Sequence, residues 1–486
     1  MAVWGIYRWE HFSLTWDYGI YAQAAHLIAR GDWAPYSSIR EISFLQNHGE
    51  LLMWPLAILV WLSGSTRILL VVQAAAVALA SAAALHWTRQ IVRGSSLTAT
   101  RGRQVTALIA ILILFNPWLY WAVSFDVHME PIVLPAVIMA AMALWQRRYG
   151  KAFLWAGVTI LGGDVPSSYL VGVGVSGLFM GPAVRRPALS IAILGGVALL
   201  GFEHLVPGGI VGSDLAGLYP ELLRGVRSPT FLSVVIGALT HPEIAADTLR
   251  SNLANLYATV APEGLLGLVV WPAMGVPYLV LGENGLIPSG VWTTPTLFQS
   301  IPVIPFVIVG TAMAATALLA RWDLHPVGRL AGTTLLGLIF INGAAWAAGA
   351  IPPIPNRWAD ISSGKAQVLT DILHRIPKGA EVFAANEFAG RFAIRPWIYV
   401  EGHLTGGRLP LHGTPVYFVL APAGPMEMGT VAWNWTVADA VAAIPGVRAI
   451  VRRDGVCAYE WAPPRGDRFL SLPTRRKKGS IAVCLP

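Results

Sequence analysis

The sequence predicts a mainly α-helical protein, a polytopic transmembrane bundle with a C-terminal α/β domain outside the membrane. Three observations predict this fold class. The chain of 486 residues is 55% hydrophobic and only 12% charged, whereas soluble domains carry about 25% charged residues. Apolar segments of membrane-spanning length recur along the first 350 residues. Beyond them, short apolar runs alternate with helical stretches, which is typical of a small α/β domain.

The apolar segments define the predicted spans. A span needs about 20 apolar residues, or somewhat fewer in a short or buried helix. The segments run over 66–88, 104–123, 131–146, 188–206, 299–320 and 330–350. Residues 152–162 and 165–180 predict two further, shorter passes, and the proline-interrupted stretch 256–298 predicts short or re-entrant helices.

The basic residues predict the orientation of the spans. Arginines and lysines collect in cytoplasmic loops, and here they cluster within 89–103, 147–151, 185–186 and 321–329. Alternation from these clusters makes 1–65 a first external loop, in which 51–62 forms an interfacial helix. It also places residues 124–130, residue 164 and the loop 207–255 on the external side. The protein is therefore expected in the cell membrane as a multi-pass protein.

A proline-rich boundary at 351–355 separates the two predicted domains, a transmembrane domain over 1–350 and an extracytoplasmic α/β domain over 351–486. The only cysteines, Cys457 and Cys484, lie in the second domain. An external location permits one disulfide between them, and two unpaired thiols are the alternative. Residues 1–12 have no signal-peptide core, so the chain either lacks a first membrane helix or begins after it.

Several function classes are disfavoured. No basic stripe with interleaved aromatic residues is present, which argues against nucleic-acid binding despite the net charge of +8. The chain also has no GxxxxGK[ST] phosphate loop, HExxH zinc pair or GxSxG elbow. These absences weigh against an ATP-driven pump and a membrane protease.

Three polar clusters interrupt the apolar sequence, and all three are predicted to lie on the external side. The first is centred on Asp17, the second comprises Asp126, His128 and Glu130, and the third is Gly162-Gly163-Asp164. Ionisable groups at membrane depth usually face a cavity or perform chemistry. The clusters therefore predict one site at the external rim of the bilayer.

The clusters contain three candidate catalytic residues. Asp17 is either a helix N-cap or a general base that deprotonates an acceptor hydroxyl. Asp126 and His128 alternate in a way that would project both to one side of an extended loop. They could act catalytically or hold a divalent cation such as Mg²⁺ or Mn²⁺; a hydrogen-bonded turn is the alternative.

Further candidates would bind substrate. His48 could contact a phosphate or a metal ion. Arg40 could hold a phosphate, although a solvated arginine is the more common outcome. Glu50 could instead begin a helix, and Asp164 could instead be an N-cap. Glu130 could bind substrate or begin the next helix.

Four motifs, in order along the chain, resemble a known family. Trp16-Asp17-Tyr18-Gly19-Ile20-Tyr21-Ala22-Gln23 resembles a Phe-Asp-Leu-Gly-Ile-Phe-Asp-Gln motif, and Asn47-His48 resembles an Asp-His pair. Phe125-Asp126-Val127-His128 matches a Phe-Asp-x-His pattern, and Gly162-Gly163-Asp164 stands where Lys-Glu-Asp is usual. By these motifs the chain is identified as a member of the domain-of-unknown-function 2079 family, which is grouped with the GT-C superfamily of polytopic glycosyltransferases.

The resemblance implies a GT-C-like glycosyltransferase. Such an enzyme would take a sugar from a polyprenyl-phosphate-linked donor and transfer it to an unidentified acceptor at the outer membrane face. By the same resemblance Asp17 is the candidate base. The candidate substrate-binding residues are Tyr21, Gln23, Arg40, His48, Glu50, Glu130 and Asp164. A transporter or lipid flippase that uses the same acidic residues for coupling remains open, as does a non-catalytic scaffold.

Overall fold

The computed structural model describes residues 2–205, 211–288, 294–296, 298–322, 337, 341, 361–424 and 429–473. The N-terminal region contains α1 (Ala2–Glu10), α2 (Trp16–Ala29), β1 (Tyr36–Ser37), β2 (Ile42–Ser43), α3 (Leu45–His48) and α4 (Met53–Ser63). The bundle begins with α5 (Ile68–Arg93), α6 (Ala99–Leu114), α7 (Pro117–Ser124), α8 (Met129–Trp145), α9 (Tyr149–Ile160) and α10 (Asp164–Leu178). It continues with α11 (Pro182–Leu205), α12 (Val211–Leu218), α13 (Phe231–Thr240), α14 (Pro242–Val260), α15 (Trp271–Gly285) and α16 (Val303–Trp322).

The predicted mainly helical membrane fold is confirmed. Four helical segments in the described part of the chain are long and apolar enough to cross a bilayer: Ile68–Arg93, Ala99–Ser124, Pro182–His204 and Phe298–Ala320. They correspond to four of the predicted spans. The predicted segments 131–146, 152–162 and 165–180 form the shorter helices α8, α9 and α10. The predicted span 330–350 lies outside the described residues, except for 337 and 341.

The stretch 256–298 is broken, as its prolines predict. Helix α14 ends at Val260, short 3₁₀ turns cover Ala261–Glu263 and Leu266–Val269, and α15 follows. Irregular backbone at membrane depth needs internal hydrogen-bond partners. Asn116 donates to the Glu263 carboxylate at 2.6 Å, and Thr311 Oγ1 donates to the Glu263 carbonyl at 2.8 Å. The break between α6 and α7, where Asn116 caps α7, is therefore tied to the break after α14.

The C-terminal α/β unit contains a five-stranded sheet. Its helices are α17 (Ser363–Arg375), α18 (Ala389–Phe392) and α19 (Val431–Ala442). Its strands are β3 (Glu381–Ala384), β4 (Ile398–Val400), β5 (Arg408–Pro410), β6 (Val416–Leu420), β7 (Arg448–Arg453), β8 (Val456–Trp461) and β9 (Phe469–Ser471). The order in the main sheet is β4-β3-β6-β8-β7, with β3 parallel to β4 and β6. Strand β8 runs antiparallel to β6 and β7, and β5 pairs with β9.

Two sequence predictions about this unit stay untested. The proposed boundary at 351–355 falls outside the described residues, so the division into two domains remains a prediction. Cys457 is a buried free thiol within the described part of the chain. Its proposed disulfide partner, Cys484, lies outside the described residues.

The α/β unit packs directly on the N-terminal region. Apolar side chains of both parts share one core, in which Tyr18 and Ile20 of α2 join Phe388, Phe392 and Val400 of the α/β unit. Burial of apolar surface contributes about 25 cal/mol per Å², so this shared core is a stabilising contact. The backbone also joins them, because Gly390 N–H donates to the Leu14 carbonyl at 3.1 Å. Helix α2 is thus fixed between the bundle and the α/β unit.

Candidate functional site

A cavity of about 400 Å³ lies where α2, the starts of α8 and α10, helices α12 and α15, and the α/β unit meet. Eight of the ten predicted site residues line it: Asp17, Tyr21, Arg40, His48, Glu50, His128, Glu130 and Asp164. The three polar clusters of the sequence therefore lie at the same end of the bundle. Asp126 and Gln23 are the two that do not line it.

Asp17 and His128 face each other in the cavity. Asp17 Oδ2 lies 3.8 Å from His128 Nε2, and the Asp17 side chain is 21% exposed. The His128 ring stacks on Phe298 with centroids 3.4 Å apart. Burial lowers the pKa of His128 well below its usual value, so the imidazole is neutral. Its Nε2 is buried without a hydrogen-bond partner among the described residues.

Asp17 belongs to the first turn of α2, but it is not the cap. The helix begins at Trp16, and Thr15 occupies the N-cap position without a side-chain cap bond. Burial, followed by the nearby Asp126 carboxylate, raises the pKa of Asp17 to about 7. A carboxyl group with that pKa exchanges protons near neutral pH, as a general base requires.

Asp126 supplies the cap that Thr15 lacks. Its Oδ2 accepts hydrogen bonds from Thr15 N at 2.9 Å, Thr15 Oγ1 at 2.5 Å and Tyr18 N at 3.2 Å. Its Oδ1 lies 3.7 Å from Arg8, whose guanidinium donates to the carbonyls of Ser13 and Ser124. Asp126 thus satisfies amide groups at the start of α2, which helices otherwise leave unpaired. The carboxylate holds the helix that carries Asp17.

Gln73 connects the same loop to His128. Its amide nitrogen donates to the carbonyls of Ala122 at 3.2 Å and Asp126 at 3.3 Å. Its amide oxygen accepts from His128 N at 2.9 Å. Since Gln73 is buried in α5, the loop 125–128 is anchored to a long membrane helix. Sequence reasoning missed Gln73, because a lone glutamine in an apolar helix belongs to no motif.

Gln23, which was predicted to bind substrate, lies outside the cavity lining and joins α2 to other parts of the protein. It is fully buried, and its amide nitrogen donates to Ser38 Oγ at 2.8 Å and to the Pro396 carbonyl at 2.8 Å. Ser38 Oγ donates to the Ile398 carbonyl at 2.6 Å. This position ties α2 to β4, the edge strand of the main sheet.

His48, which is partly exposed, forms an ion pair with the buried Asp164 in the cavity wall. His48 Nδ1 lies 3.2 Å from Asp164 Oδ1. Burial by itself lowers the pKa of His48, but the charge of Asp164 and the hydrogen bond to it raise that pKa to about 10. His48 is therefore an imidazolium at neutral pH. With Arg40 it gives this otherwise acidic cavity its positive charge among the described lining residues.

Gly163 lets the loop carrying His48 approach α10. Its backbone has φ +105° and ψ −161°, a region that only glycine occupies readily. A Cβ atom there would lie 2.3 Å from the His48 carbonyl oxygen. Glycine at this position is thus required by this packing.

Replacing Gly163 with alanine is expected to destabilise the protein by about 2 kcal/mol or more, since strained backbone alone costs 1–3 kcal/mol. The matched change Gly157→Ala, on α9 with no atom near the added Cβ, should be neutral or slightly stabilising. Thermal unfolding of both variants in detergent measures the difference. Equal melting temperatures for Gly163→Ala and the wild type would contradict this close packing.

Glu50 is held by two donors. Tyr21 Oη donates to Glu50 Oε1 at 2.6 Å, and Asn47 Nδ2 donates to Oε2 at 3.3 Å. Burial raises the pKa of Glu50. Glu50, Tyr21 and Asn47 therefore form a fixed polar wall next to His48.

Arg40 and two aromatic rings close another wall. The Arg40 guanidinium lies 4.5 Å from the Trp16 ring centroid and 3.9 Å from the Asp214 carboxylate. The His403 ring packs on Trp16 with centroids 4.1 Å apart. Asp214 comes from α12 and His403 from the α/β unit, so distant parts of the chain complete the cavity.

Sequence reasoning missed several lining residues, notably Asp214, Glu283 and His403. Asp214 and His403 stand outside any polar cluster near a predicted span, so no local pattern marks them. Glu283 could have been found. It is an isolated acid in the apolar helix α15, and acids in such a setting usually face a cavity.

The predicted divalent cation has no preformed set of ligands in the part of the chain that the structure describes. No group of three or more His, Cys, Asp or Glu side chains in the described part of the chain is arranged to hold a metal ion. Asp126, one of the two predicted ligands, is engaged by Thr15, Tyr18 and Arg8. The cation therefore stays a prediction, and the function proposed below does not depend on it.

The fold of the chain is similar to that of solved membrane-protein structures. In fold the chain is similar to two crystal structures of ArnT from Cupriavidus metallidurans, one bound to undecaprenyl phosphate and one in the apo state. Both have a TM-score of 0.50 and cover 94% of this chain and 96% of ArnT, at 14% and 13% sequence identity. The fold is therefore GT-C-like. A comparison with curated proteins gives no match.

The family itself follows from the sequence as a whole. The family model described as "Predicted membrane protein (DUF2079)" matches residues 8–405. This match takes in all three polar clusters and the cavity residues up to His403. The chain thus belongs to the DUF2079 family of membrane proteins.

Proposed function

We propose that the protein transfers a sugar from a polyprenyl-phosphate-linked donor to an acceptor hydroxyl, with Asp17 as the general base. The observation that carries this proposal is the pairing of Asp17 with His128 in a cavity that also holds the His48 cation. The GT-C-like fold supports it, because ArnT of similar fold has been crystallised with undecaprenyl phosphate.

In the proposed step, the acceptor oxygen attacks the anomeric carbon of the donor sugar. Asp17 takes the hydroxyl proton as the new carbon–oxygen bond forms. The bond between the anomeric carbon and the phosphate oxygen breaks, and polyprenyl phosphate leaves with the electron pair. The neutral His128 Nε2, which has no partner among the described residues, would hold the same hydroxyl and orient it toward Asp17.

The leaving phosphate needs cationic stabilisation, because negative charge develops on it in the transition state. His48, kept protonated by Asp164, and Arg40 supply positive charge to the cavity. An apolar wall that includes Leu218, Val280 and Ile287 would take the start of the polyprenyl chain. We place the reaction at the outer membrane face, with the α/β unit on the same side.

The proposal predicts a pH dependence. Asp17 acts only when deprotonated, and its pKa is raised to about 7. The transfer rate should therefore be high above pH 7 and fall about tenfold for each pH unit below it, because the deprotonated fraction falls by that factor. Rates measured from pH 5 to pH 8 under saturating donor test this. A transfer rate that does not change between pH 5 and pH 8 would exclude Asp17 as the base.

The direct test uses purified protein in lipid nanodiscs. The donors are synthetic decaprenyl-phosphate-linked pentoses and hexoses, and the acceptors come from a fraction of membrane lipids and cell wall. Release of decaprenyl phosphate together with a glycosylated product, followed by mass spectrometry, supports the proposal. The same donors in proteoliposomes address the alternative. Movement of intact donor across the bilayer, without cleavage of the sugar–phosphate bond, would instead establish a flippase.

A further inference from the structure

His403 is the one described residue of the α/β unit that lines the cavity. We propose that His403 hydrogen-bonds a hydroxyl group of the sugar-bearing substrate, so that the α/β unit takes part in substrate selection. This inference rests on the proposed function and assigns the unit a role within it.

The position of His403 in the fold favours ligand binding. It follows β4, at the edge where the parallel strands β3, β4 and β6 end. In open α/β sheets, ligands bind outside the carboxyl ends of the strands. The turn is held in place, because His403 N–H donates to the Val400 carbonyl at 3.1 Å and Thr405 N–H donates to Glu41 Oε1 at 3.4 Å.

The imidazole has an unused hydrogen-bonding atom. His403 Nε2 is buried and has no hydrogen-bond partner among the described residues. Buried polar atoms in folded proteins are nearly always paired, so a ligand atom is the expected partner. The ring face is already used in packing on Trp16, which leaves the nitrogen edge for recognition.

The charge state of His403 selects the chemistry of the ligand. Burial, followed by the neighbouring Arg40 charge, lowers the pKa of His403 to about 3. A neutral imidazole has one donor and one acceptor nitrogen and carries no charge that would favour a phosphate over a hydroxyl group. A hydroxyl group, which both donates and accepts, is the matching partner. The phosphate would lie instead toward Arg40 and His48.

His403 is also fixed relative to the proposed base. It packs on Trp16, the residue immediately before Asp17. The α/β unit is joined to α2 through the bond from Gln23 to the Pro396 carbonyl and to the nearby loop through Ser38 and Ile398. The imidazole is therefore positioned before substrate arrives, which lowers the entropic cost of binding.

The hydroxyl belongs either to the donor sugar or to the acceptor, and two measurements separate these sources. The first is the Kd of decaprenyl-phosphoryl sugars compared with bare decaprenyl phosphate, measured by native mass spectrometry. The second is the acceptor KM in the transfer assay. His403→Phe is the informative variant, because it keeps an aromatic ring against Trp16 and removes both ring nitrogens.

If the donor sugar carries the hydroxyl, His403→Phe should weaken binding of the sugar-bearing lipid about tenfold, the size of one hydrogen bond. Binding of bare decaprenyl phosphate should stay unchanged. If the acceptor carries it, the acceptor KM should rise by about the same factor. His403→Gln, which keeps a donor and an acceptor, should recover part of the loss. A monodeoxy substrate that lacks the contacted hydroxyl should have the same Kd or KM with the wild type and with His403→Phe.

His412→Phe is the matched control. His412 lies in the same unit, stacks on Trp397 with centroids 3.6 Å apart, and does not line the cavity. It should change neither Kd nor KM. If the wild type is active and His403→Phe changes both the donor Kd and the acceptor KM by less than twofold, His403 has no such role. The proposed function would still stand. The role would also be excluded if His403→Phe weakened the binding of bare decaprenyl phosphate as much as the binding of the sugar-bearing lipid, since that indicates structural damage. A wild type that neither binds nor cleaves any donor would remove the proposed function and this inference together.

Discussion

Replacing Asp17 with asparagine is expected to lower the sugar-transfer rate by about 10²- to 10⁴-fold, the range that general bases contribute. Asparagine has nearly the same shape but cannot accept the proton. The protein should remain folded. Because burial raises the pKa of Asp17 to about 7, its charged form disfavours the folded state at higher pH, and a neutral amide removes that cost. The comparison requires the transfer rate and the melting temperature of the same preparation.

Asp247→Asn is the control for this experiment. Asp247 lies on α14, is exposed and pairs with Arg250 one turn along the helix. Surface pairs of this kind contribute about 0–1 kcal/mol, so neither rate nor stability should change. Transfer by Asp17→Asn within threefold of the wild type would remove Asp17 from the role of base.

Replacing Asp126 with alanine is expected to have a different result, a large loss of folding stability. The carboxylate accepts three hydrogen bonds from Thr15 and Tyr18 and lies beside the buried Arg8. Removing one partner of a buried ion pair typically costs about 3–5 kcal/mol, since the other charge is left uncompensated. The start of α2 would also lose its cap, so residual folded protein should transfer sugar poorly.

Two milder variants test this explanation of Asp126. Asp126→Asn keeps an acceptor oxygen for the α2 amides and should destabilise less than alanine. Thr15→Val removes only the hydroxyl contact and should cost about 1 kcal/mol. Denaturant unfolding ranks the series, with the exposed Asp371→Ala of α17 as a neutral reference. If Asp126→Ala were as stable as the wild type but inactive, Asp126 would be a catalytic residue as the sequence predicts.

Hydropathy and charge predicted much of the fold because both are local properties of the chain. The segments 66–88, 104–123, 188–206 and 299–320 need no tertiary information to be recognised as spanning helices. Charge alternation then led to the prediction that the polar clusters share one end of the bundle. The approach of Asp17 to His128 at 3.8 Å agrees with that placement.

The roles within the site were harder to predict, because they depend on which way each side chain turns. Alternation predicted that Asp126 and His128 face the same side, but Asp126 turns to the start of α2 and His128 to the cavity. The unpaired amides of α2 provide the reason, and nothing near residue 126 in the sequence reveals them. Asp214 and His403 reach the cavity only through tertiary packing, so a local motif could not identify them.

The most direct measurement is an experimental structure of the protein in nanodiscs with decaprenyl phosphate, the leaving group of the proposed reaction. We expect the phosphate within hydrogen-bonding distance of His48 or Arg40, the polyprenyl chain along Val280 and Ile287, and space for a sugar beside Asp17 and His128. A lipid phosphate bound outside this cavity, with Asp17 facing away from it, would exclude the proposed reaction at this site.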